Sequence, residues 1–484
     1  MTVNSLIKAI LLAVSIKMKI TLVQCPAFGI DRPPLGLAYL VAFLRRYKHQ
    51  ATVFDLNVEL YSRTKEEDKK FWEFQYVFEW MENNHIIKQK ILPSCYFKKW
   101  AQRILSSNPD LIGFSVQSSS LTASISLAGE IKSICPEQKI VFGGPLHLSY
   151  SLDHSYYLLG IENLLGVKTI DVVVLGEGES TIIDVVQRIE SKNSLIGCPG
   201  TIIRENNRMF NNGERRLIED IDSIPFPEFN DFPEKYKFKD RLPILGSRGC
   251  VNRCVFCDDT LMWRRYRYRS AKNILAEIRL RKDNGIEFLE FNDLLINGNL
   301  SQLSGLCDLL IKENINISWG ASATVDKQMD YKLFRKMKQS GCCYLNYGIE
   351  SASPRVLRQM NKNFMIEEAK KIIKDTYRAG IAVCTNWIVG FPTETEKDFN
   401  QTLEFVSENM MYLKNNIMVN SFILKSSSLL FRHKQRFGIV ADDQRNWHSQ
   451  NGNHTTEIRK KRYEKFIELI SALGDVPAHK TFQK

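Results

Sequence analysis

Three cysteines carry the chemistry that this chain advertises most plainly. Cys250, Cys254 and Cys257 lie in Gly246-Ser-Arg-Gly-Cys-Val-Asn-Arg-Cys-Val-Phe-Cys-Asp258. A loop this short aims three sulfurs at one point only if they share a ligand. Arg248 and Arg253 stand beside them and would favour thiolates, the form that binds metal. A cubane [4Fe-4S] cluster has four irons, usually held by cysteine thiolates, so three cysteines leave one iron open for a substrate or cofactor. A structural zinc site would want a fourth ligand, usually from a second Cys or His pair. The closest histidines in sequence are His154 and His433, and no second Cys-x-x-Cys exists. An odd total of 11 cysteines, with no secretion signal, argues against a disulfide.

The pattern Cys-x-x-x-Cys-x-aromatic-Cys, with Phe256 as the aromatic, resembles the signature of the radical S-adenosylmethionine (SAM) enzymes. The resemblance implies that the amino and carboxylate groups of SAM chelate the open iron. One electron from the cluster would then cleave SAM to a 5′-deoxyadenosyl radical.

The rest of the chain must position that loop. With 484 residues it is too long for one core, so two or three domains are expected. Its 44% hydrophobic and 25% charged content reads as soluble and globular. The net charge of +12 is compatible with nucleic acid, an acidic membrane surface, an anionic substrate, or simply a basic surface. Cysteine usage points to a reducing cytosol, hence a cytoplasmic location. Residues 6–16 are apolar apart from Lys8 and Ser15, but fall short of the ~20 needed to span a bilayer. Residues 1–18 therefore read as a dispensable leader or, alternatively, an amphipathic surface helix. No membrane association is expected.

Residues 19–205 read as a Rossmann-like α/β domain. Strands are expected at 19–24, 51–55, 110–116, 139–144 and 171–175. A helix at 35–44 joins the first two as a β-α-β unit. A charged, aromatic-rich helical insertion, 60–108, carries Phe71, Trp72, Phe74, Tyr76, Phe78 and Trp80, which read as packing contacts. Four strands run into small or polar turns, where an open α/β sheet binds ligands. Glycines there allow close backbone approach but also simply make turns. The region resembles the cobalamin (vitamin B12)-binding domain that precedes the radical SAM core in one branch of the superfamily. On that resemblance, Leu35, Gly36, Ser115, Gln117, Gly143, Gly144, Gly176, Glu177, Gly178 and Glu179 would contact cobalamin. Many B12 proteins carry Asp-x-His-x-x-Gly after the first strand. Here that loop has Asp31 and no histidine, and Asp153-His154 has the wrong spacing, so cobalamin without a histidine lower ligand is implied.

Residues 206–240 read as a hairpin and a proline-rich linker. From 241 to 424, strands and helices alternate as six β-α units, which suggests a partial (β/α)6 TIM-like barrel with its functional residues at strand carboxyl ends. Those ends carry the cysteines, Asn292-Asp293, Gly348-Ile-Glu350 and Gly390-Phe-Pro-Thr-Glu394. By resemblance to the radical SAM core, Asp293 lies where the methionine amino group is held, Glu350 where amino or ribose groups are met, and Gly390 where backbone lines the adenine. Asn292 departs from the acid pair common in the family. The run Trp263-Arg-Arg-Tyr-Arg-Tyr-Arg269 is of a kind that could grip single-stranded nucleic acid or hold an anion near a cluster. Residues 425–484 form a basic, helical C-terminal extension. The resemblance implies that it covers the barrel mouth, with Trp447, His448 and His454 as pocket candidates.

The resulting expectation is a cobalamin-dependent radical SAM enzyme that methylates an unactivated carbon. It implies a small-molecule substrate, with an anion compatible with the charge, and an electron donor such as flavodoxin or ferredoxin, with no DNA partner. The alternatives are a radical cyclisation or rearrangement with the same cofactors, an RNA-modifying enzyme, and a non-catalytic cobalamin- or metal-binding protein.

Overall fold

A computed structural model describes residues 18–73, 76–81, 87–145, 169–206, 208–259, 263–413, 416–425, 428–441, 447–452, 454–473 and 478–481. The leader, Phe74, Asp153 and His154 lie outside these residues, as does the side chain of Phe78.

The first sheet contains β1 (Lys19–Gln24), β2 (Gln50–Asp55), β3 (Leu111–Ser115), β4 (Lys139–Gly143), β5 (Val172–Val174), β6 (Thr201–Glu205) and β7 (Arg208–Asn211). Its order is β2-β1-β3-β4-β5-β6-β7. The first five strands are parallel and the last two antiparallel. Successive side chains of one strand face opposite sides. Accordingly Val23, Phe114 and Ile140 enter one core, and Leu22, Leu111 and Val141 enter the other. Helices cover both faces, which is why these strands read as nearly unbroken apolar runs. The hairpin β6–β7 pairs onto β5, so it is the edge of this sheet rather than part of a linker. In the insertion, Phe71, Trp80 and Trp100 are buried, and Trp72 packs edge-on against Tyr61 and Trp80.

The second sheet is parallel throughout: β8 (Arg241–Ile244), β11 (Phe288–Phe291), β12 (Ser318–Ala323), β13 (Cys342–Glu350), β14 (Ala382–Val389), β15 (Asn416–Ser421) and β18 (Ala478–Thr481). Two antiparallel pairs accompany it: β9 (Ser247–Arg248) with β10 (Arg267–Tyr268), and β16 (Ile439–Ala441) with β17 (Trp447–Ser449). The sheet therefore has seven strands rather than six, the seventh coming from a tail expected to be helical. Four residues, Ala-His-Lys-Thr, at a sheet edge carry no apolar alternation that could announce a strand. Helices start as their caps direct: Ser270, Asn299, Asp330 and Ser353 each accept from a backbone N–H in the first turn.

Alternation in this second sheet exposes what matters. Leu345, Tyr347, Ile349, Val383, Trp387 and Val419 are buried in the core beneath the helices. The residues between them, including Tyr344, Asn346, Glu350, Asn386 and Met418, are only half-buried. A closed barrel fills its interior with packed layers. Here β8 and β18 end the sheet and do not pair among the described residues, so it is a partial barrel. Among the described residues, no helix is long and apolar enough to cross a membrane.

Candidate active site

The cysteine loop leaves β8 at its carboxyl end and is pinned on every side. Gly246 N donates to Asp293 Oδ2 at 2.8 Å, and Ser247 Oγ donates to the other oxygen. Val255 N donates to Met360 O at 3.1 Å, and Leu430 N to Val255 O at 2.8 Å. Gly249 has φ +86°, and a Cβ there would strike the Arg265 carbonyl. Asp293 is buried, and that burial pushes its carboxyl up to about 6 against the pull of its donors. Its oxygens thus hold the stem of the loop.

Cys254 is buried, and Cys250 and Cys257 are half-buried; none of the three is in a disulfide. Burial pushes each thiol above its ordinary pKa. Of the two arginines expected to favour thiolates, Arg253 does pull the Cys250 thiol down, though burial outweighs it, and Arg248 does not. Arg248 turns away to acids of the first domain. Arg253 donates mainly to the carbonyls of Cys250, Asn252 and Arg264. The cation that acts most on Cys250 and Cys254 is Lys362, unforeseen in the sequence. Its Nζ donates to Gly348 O at 2.9 Å and Glu350 Oε1 at 3.2 Å, and lies 5.7 Å from the Phe256 ring centre. Burial opposes the Lys362 charge, but Glu350, Cys254 and Cys257 outweigh it and raise its pKa.

The donor set fits an iron–sulfur cluster better than one ion. Thiolates on a single tetrahedral zinc stand about 3.8 Å apart. The three loop thiols do not form such a tight set; among the described residues only Cys257, Asp258 and Asp259 bring ligand atoms within 4.8 Å of one another. Asn252 N donates to Cys250 Sγ at 3.3 Å, the kind of hydrogen bond that tunes a cluster thiolate.

Glu177 and Glu179, expected to contact cobalamin, meet an arginine of the cysteine loop. Arg248 bridges both, with Nη1 2.9 Å from Glu177 Oε1, and Arg267 Nη2 lies 2.8 Å from the same oxygen. All four side chains are less than 10% exposed. Burial alone would raise the Glu177 carboxyl; Arg267 and Arg248 outweigh it and hold the group below its ordinary range. The aromatic–arginine run is also paired. Arg264 meets Glu214 and Arg265 meets Glu219 at the surface, and Arg269 meets Glu277 of the helix Ala271–Asp283.

On the first sheet, Gly143, Gly144, Ser115 and Gln117 gather at the strand ends. A Cβ on Gly144, at φ +116°, would strike Val116 O. Gln117 Nε2 and Ser119 Oγ both donate to Ala27 O, at 3.0 and 2.7 Å. They border a cavity of about 430 Å³ with Phe28, Phe71, Trp72 and Trp80. The insertion aromatics therefore wall a ligand-sized space as well as pack. Leu35 is buried and Gly36 exposed at the start of the helix Leu35–Arg46, while Gly176 turns at φ +71° and Gly178 opens the helix Gly178–Glu190.

The tail clamps the end of β14. Gly390 N donates to Glu394 Oε2 at 2.9 Å, and Arg462 Nη1 lies 3.1 Å from the same oxygen. Trp447 is core, with the Arg459 guanidinium 3.9 Å from its ring centre. His448 is exposed. His454 is buried, with Nε2 against Glu394 O, and burial lowers its pKa to about 4. Of the three pocket candidates in the tail, His454 borders a cavity of about 360 Å³ beside Thr393 and Arg355. Gly390 sits at φ +81°, where a Cβ would collide with the Arg459 stem. Gly390→Ala is expected to cost about 1–3 kcal/mol through backbone strain and overpacking, checked by denaturant unfolding.

Residues 244–406 match the family described as the Radical SAM superfamily. Those residues form a radical SAM domain. The chain's relatives have several activities. It is 29% identical over 404 residues to an uncharacterised methyltransferase of Pyrococcus horikoshii, covering 81% of this chain and 78% of the other. It is 25% identical to the anaerobic magnesium-protoporphyrin IX monomethyl ester cyclase of Cereibacter sphaeroides, covering 63% of this chain but only 50% of the cyclase. In fold it resembles TsrM of Kitasatospora setae, a radical SAM methyltransferase solved with cobalamin and a [4Fe-4S] cluster. That match has a TM-score of 0.70 at 14% identity, over 95% of this chain and 89% of TsrM.

Proposed function

We propose that this radical SAM protein is a cobalamin-dependent methyltransferase acting on an unactivated carbon of a small molecule. One observation carries the reading: a three-cysteine loop at the mouth of an open parallel half-barrel is locked, through Arg248, to the strand-end loop of a B12-type sheet. The likeness to TsrM across nearly the whole chain supports the same pairing of domains.

When bound, the cluster and SAM supply a radical and cobalamin a transferable methyl group. The chain's own part is to hold and orient. Cys250, Cys254 and Cys257 would ligate three irons. Lys362 and Glu350, an ammonium beside a carboxylate, complement the carboxylate and amino groups of an amino acid such as the methionine part of SAM. Asp293 fixes the loop stem, and Gly390 keeps the β14 end flat. The aromatic cavity with Gln117 and Ser118 suits the flat benzimidazole end of cobalamin. Asp31 in the loop after β1, and no histidine there, supports cobalt without a histidine lower ligand from that loop. The reducing electron would come from a small electron-transfer protein.

Anaerobic reconstitution is expected to give about four irons and four sulfides per chain. Hydroxocobalamin is expected to co-elute with the protein and to shift spectrally. Label from methyl-labelled SAM is expected in a product carbon. Absence of any SAM cleavage under reduction would overturn the catalytic reading, and cleavage without methyl transfer would favour rearrangement or cyclisation.

A further inference from the structure

We propose that the outer face of the cysteine loop is the docking surface for an acidic one-electron carrier protein of the flavodoxin or ferredoxin class, with Arg253, Arg358, Lys434 and Arg436 as its basic rim. The inference rests on the preceding reading only in taking the three cysteines to hold a cluster that must be reduced. It adds where the electron enters and which residues receive its carrier.

Three segments far apart in sequence meet at this loop. Val255 N donates to Met360 O, which brings the end of the helix Pro354–Gln359 against it. Leu430 N donates to Val255 O, which brings in the helix Leu429–Arg432 and the turn Lys434–Phe437. Asn361 Nδ2 donates to Arg253 O at 2.7 Å and ties the first two segments again. Val356, Met360, Leu430 and Phe437 pack inward with Val255 in one small core. Their polar neighbours are left facing water: Arg253, Arg358 and Arg436 are exposed, and Lys434 lies half-buried with its ammonium 4.9 Å from the Phe431 ring centre.

Charge gives this face its character. Residues 246–257, 354–365 and 428–441 contain no Asp or Glu. Asp258 and Asp259, which follow the last cysteine, are half-buried, and Asp259 accepts from the Cys257 thiol at 3.8 Å. Arg264 and Arg265 are matched by Glu214 and Glu219 and add no net charge. Among the described residues, Arg253, Arg358, Lys434 and Arg436 have no carboxylate partner. An unmatched basic face attracts an acidic partner and speeds its encounter. Val251, 47% exposed at the tip of the loop, supplies an apolar centre. A small apolar centre inside a charged rim suits the weak, small interfaces of electron-transfer complexes.

Position selects an electron carrier from among acidic partners. Arg253 Nη1 donates to Cys250 O at 3.0 Å, so a protein bound to this arginine stands directly over a cluster ligand. The carrier would be oxidised by one electron and the cluster reduced by one, with no group transferred.

The full chain, reconstituted anaerobically, is titrated with oxidised, FMN-loaded flavodoxin by microscale thermophoresis. Binding is expected at about 50 mM KCl and should be about tenfold weaker at about 300 mM. Arg358→Glu, Lys434→Glu and Arg436→Glu are each expected to weaken it about fivefold, whereas Arg358→Lys keeps it. Lys312→Glu reverses a charge at the carboxyl end of the helix Leu300–Lys312, the opposite end of the sheet from the cysteine loop, and should leave binding unchanged. Dithionite, which needs no docking, should reduce every variant equally, so a loss confined to flavodoxin is not misfolding. Cytochrome c, a basic carrier, should not bind. Binding that is absent at low salt, insensitive to salt, unchanged in the three reversals or equally weakened by Lys312→Glu would overturn the proposal. So would tighter binding of cytochrome c or of a single-stranded RNA oligonucleotide. The titrations need neither SAM cleavage nor cobalamin, so failure of the methyltransferase reading registers separately.

Discussion

Cys254→Ser is expected to abolish the brown iron–sulfur chromophore and all reductive SAM cleavage, while Cys95→Ser keeps both. Cys254 is the most buried of the three loop thiols, and its loop is anchored by backbone bonds to Met360 and Leu430 on either side. Removing one of three thiolates leaves two, too few to hold a cluster that already lacks a fourth protein ligand. Cys95 is exposed in the helix Cys95–Leu105 of the insertion, far in sequence from that loop. Iron and sulfide analysis with electron paramagnetic resonance of the reduced protein checks both variants. Full iron content in Cys254→Ser would defeat the assignment of this loop as the cluster site.

Arg248→Met is expected to destabilise the folded protein by about 3–5 kcal/mol, the usual cost of removing one partner from a buried ion network. Glu177 would then keep Arg267, while Glu179 would lose the Arg248 guanidinium. The side chain of Arg248 is only 3% exposed, so water cannot take its place. The pH dependence follows from Glu177, whose carboxyl is held below its ordinary value of 4.5 in the folded state. A depressed carboxylate stabilises the fold above the unfolded pKa, and that contribution is lost as pH falls through the folded one. The difference between wild type and Arg248→Met should therefore be largest near neutrality and shrink below about pH 4.5. Urea unfolding at several pH values measures it. A difference that does not change between neutral and acid pH would show that Arg248 acts through packing on Tyr39 and Trp263 rather than through charge.

Much of the architecture was legible in the chain because local patterns and global fold agree. The apolar runs of β1, β3 and β4 are buried on both faces, and a sheet covered on both faces demands such runs. The cysteine spacing is a local signature and needs no fold to be recognised. What stayed hidden depends on who faces whom. Arg248 beside Cys250 reads as a thiolate partner in sequence, yet Glu177 and Glu179, some 70 residues earlier, claim it. Lys362 follows a helix end without distinction, and only folding lowers it next to Glu350 and Phe256. The strand of the tail, Ala478–Thr481, is too short and polar to show a period.

By itself, then, the sequence determined the chemistry this chain can hold: a three-thiolate loop, an α/β order of elements and glycine-bearing strand ends. Those are properties of spacing and composition. Only the tertiary structure decided how charges pair and that the two sheets are clasped by buried arginines. Ion pairing inside a protein is set by proximity under weak screening, and proximity between residues 177 and 248, or 32 and 290, is a property of the fold alone.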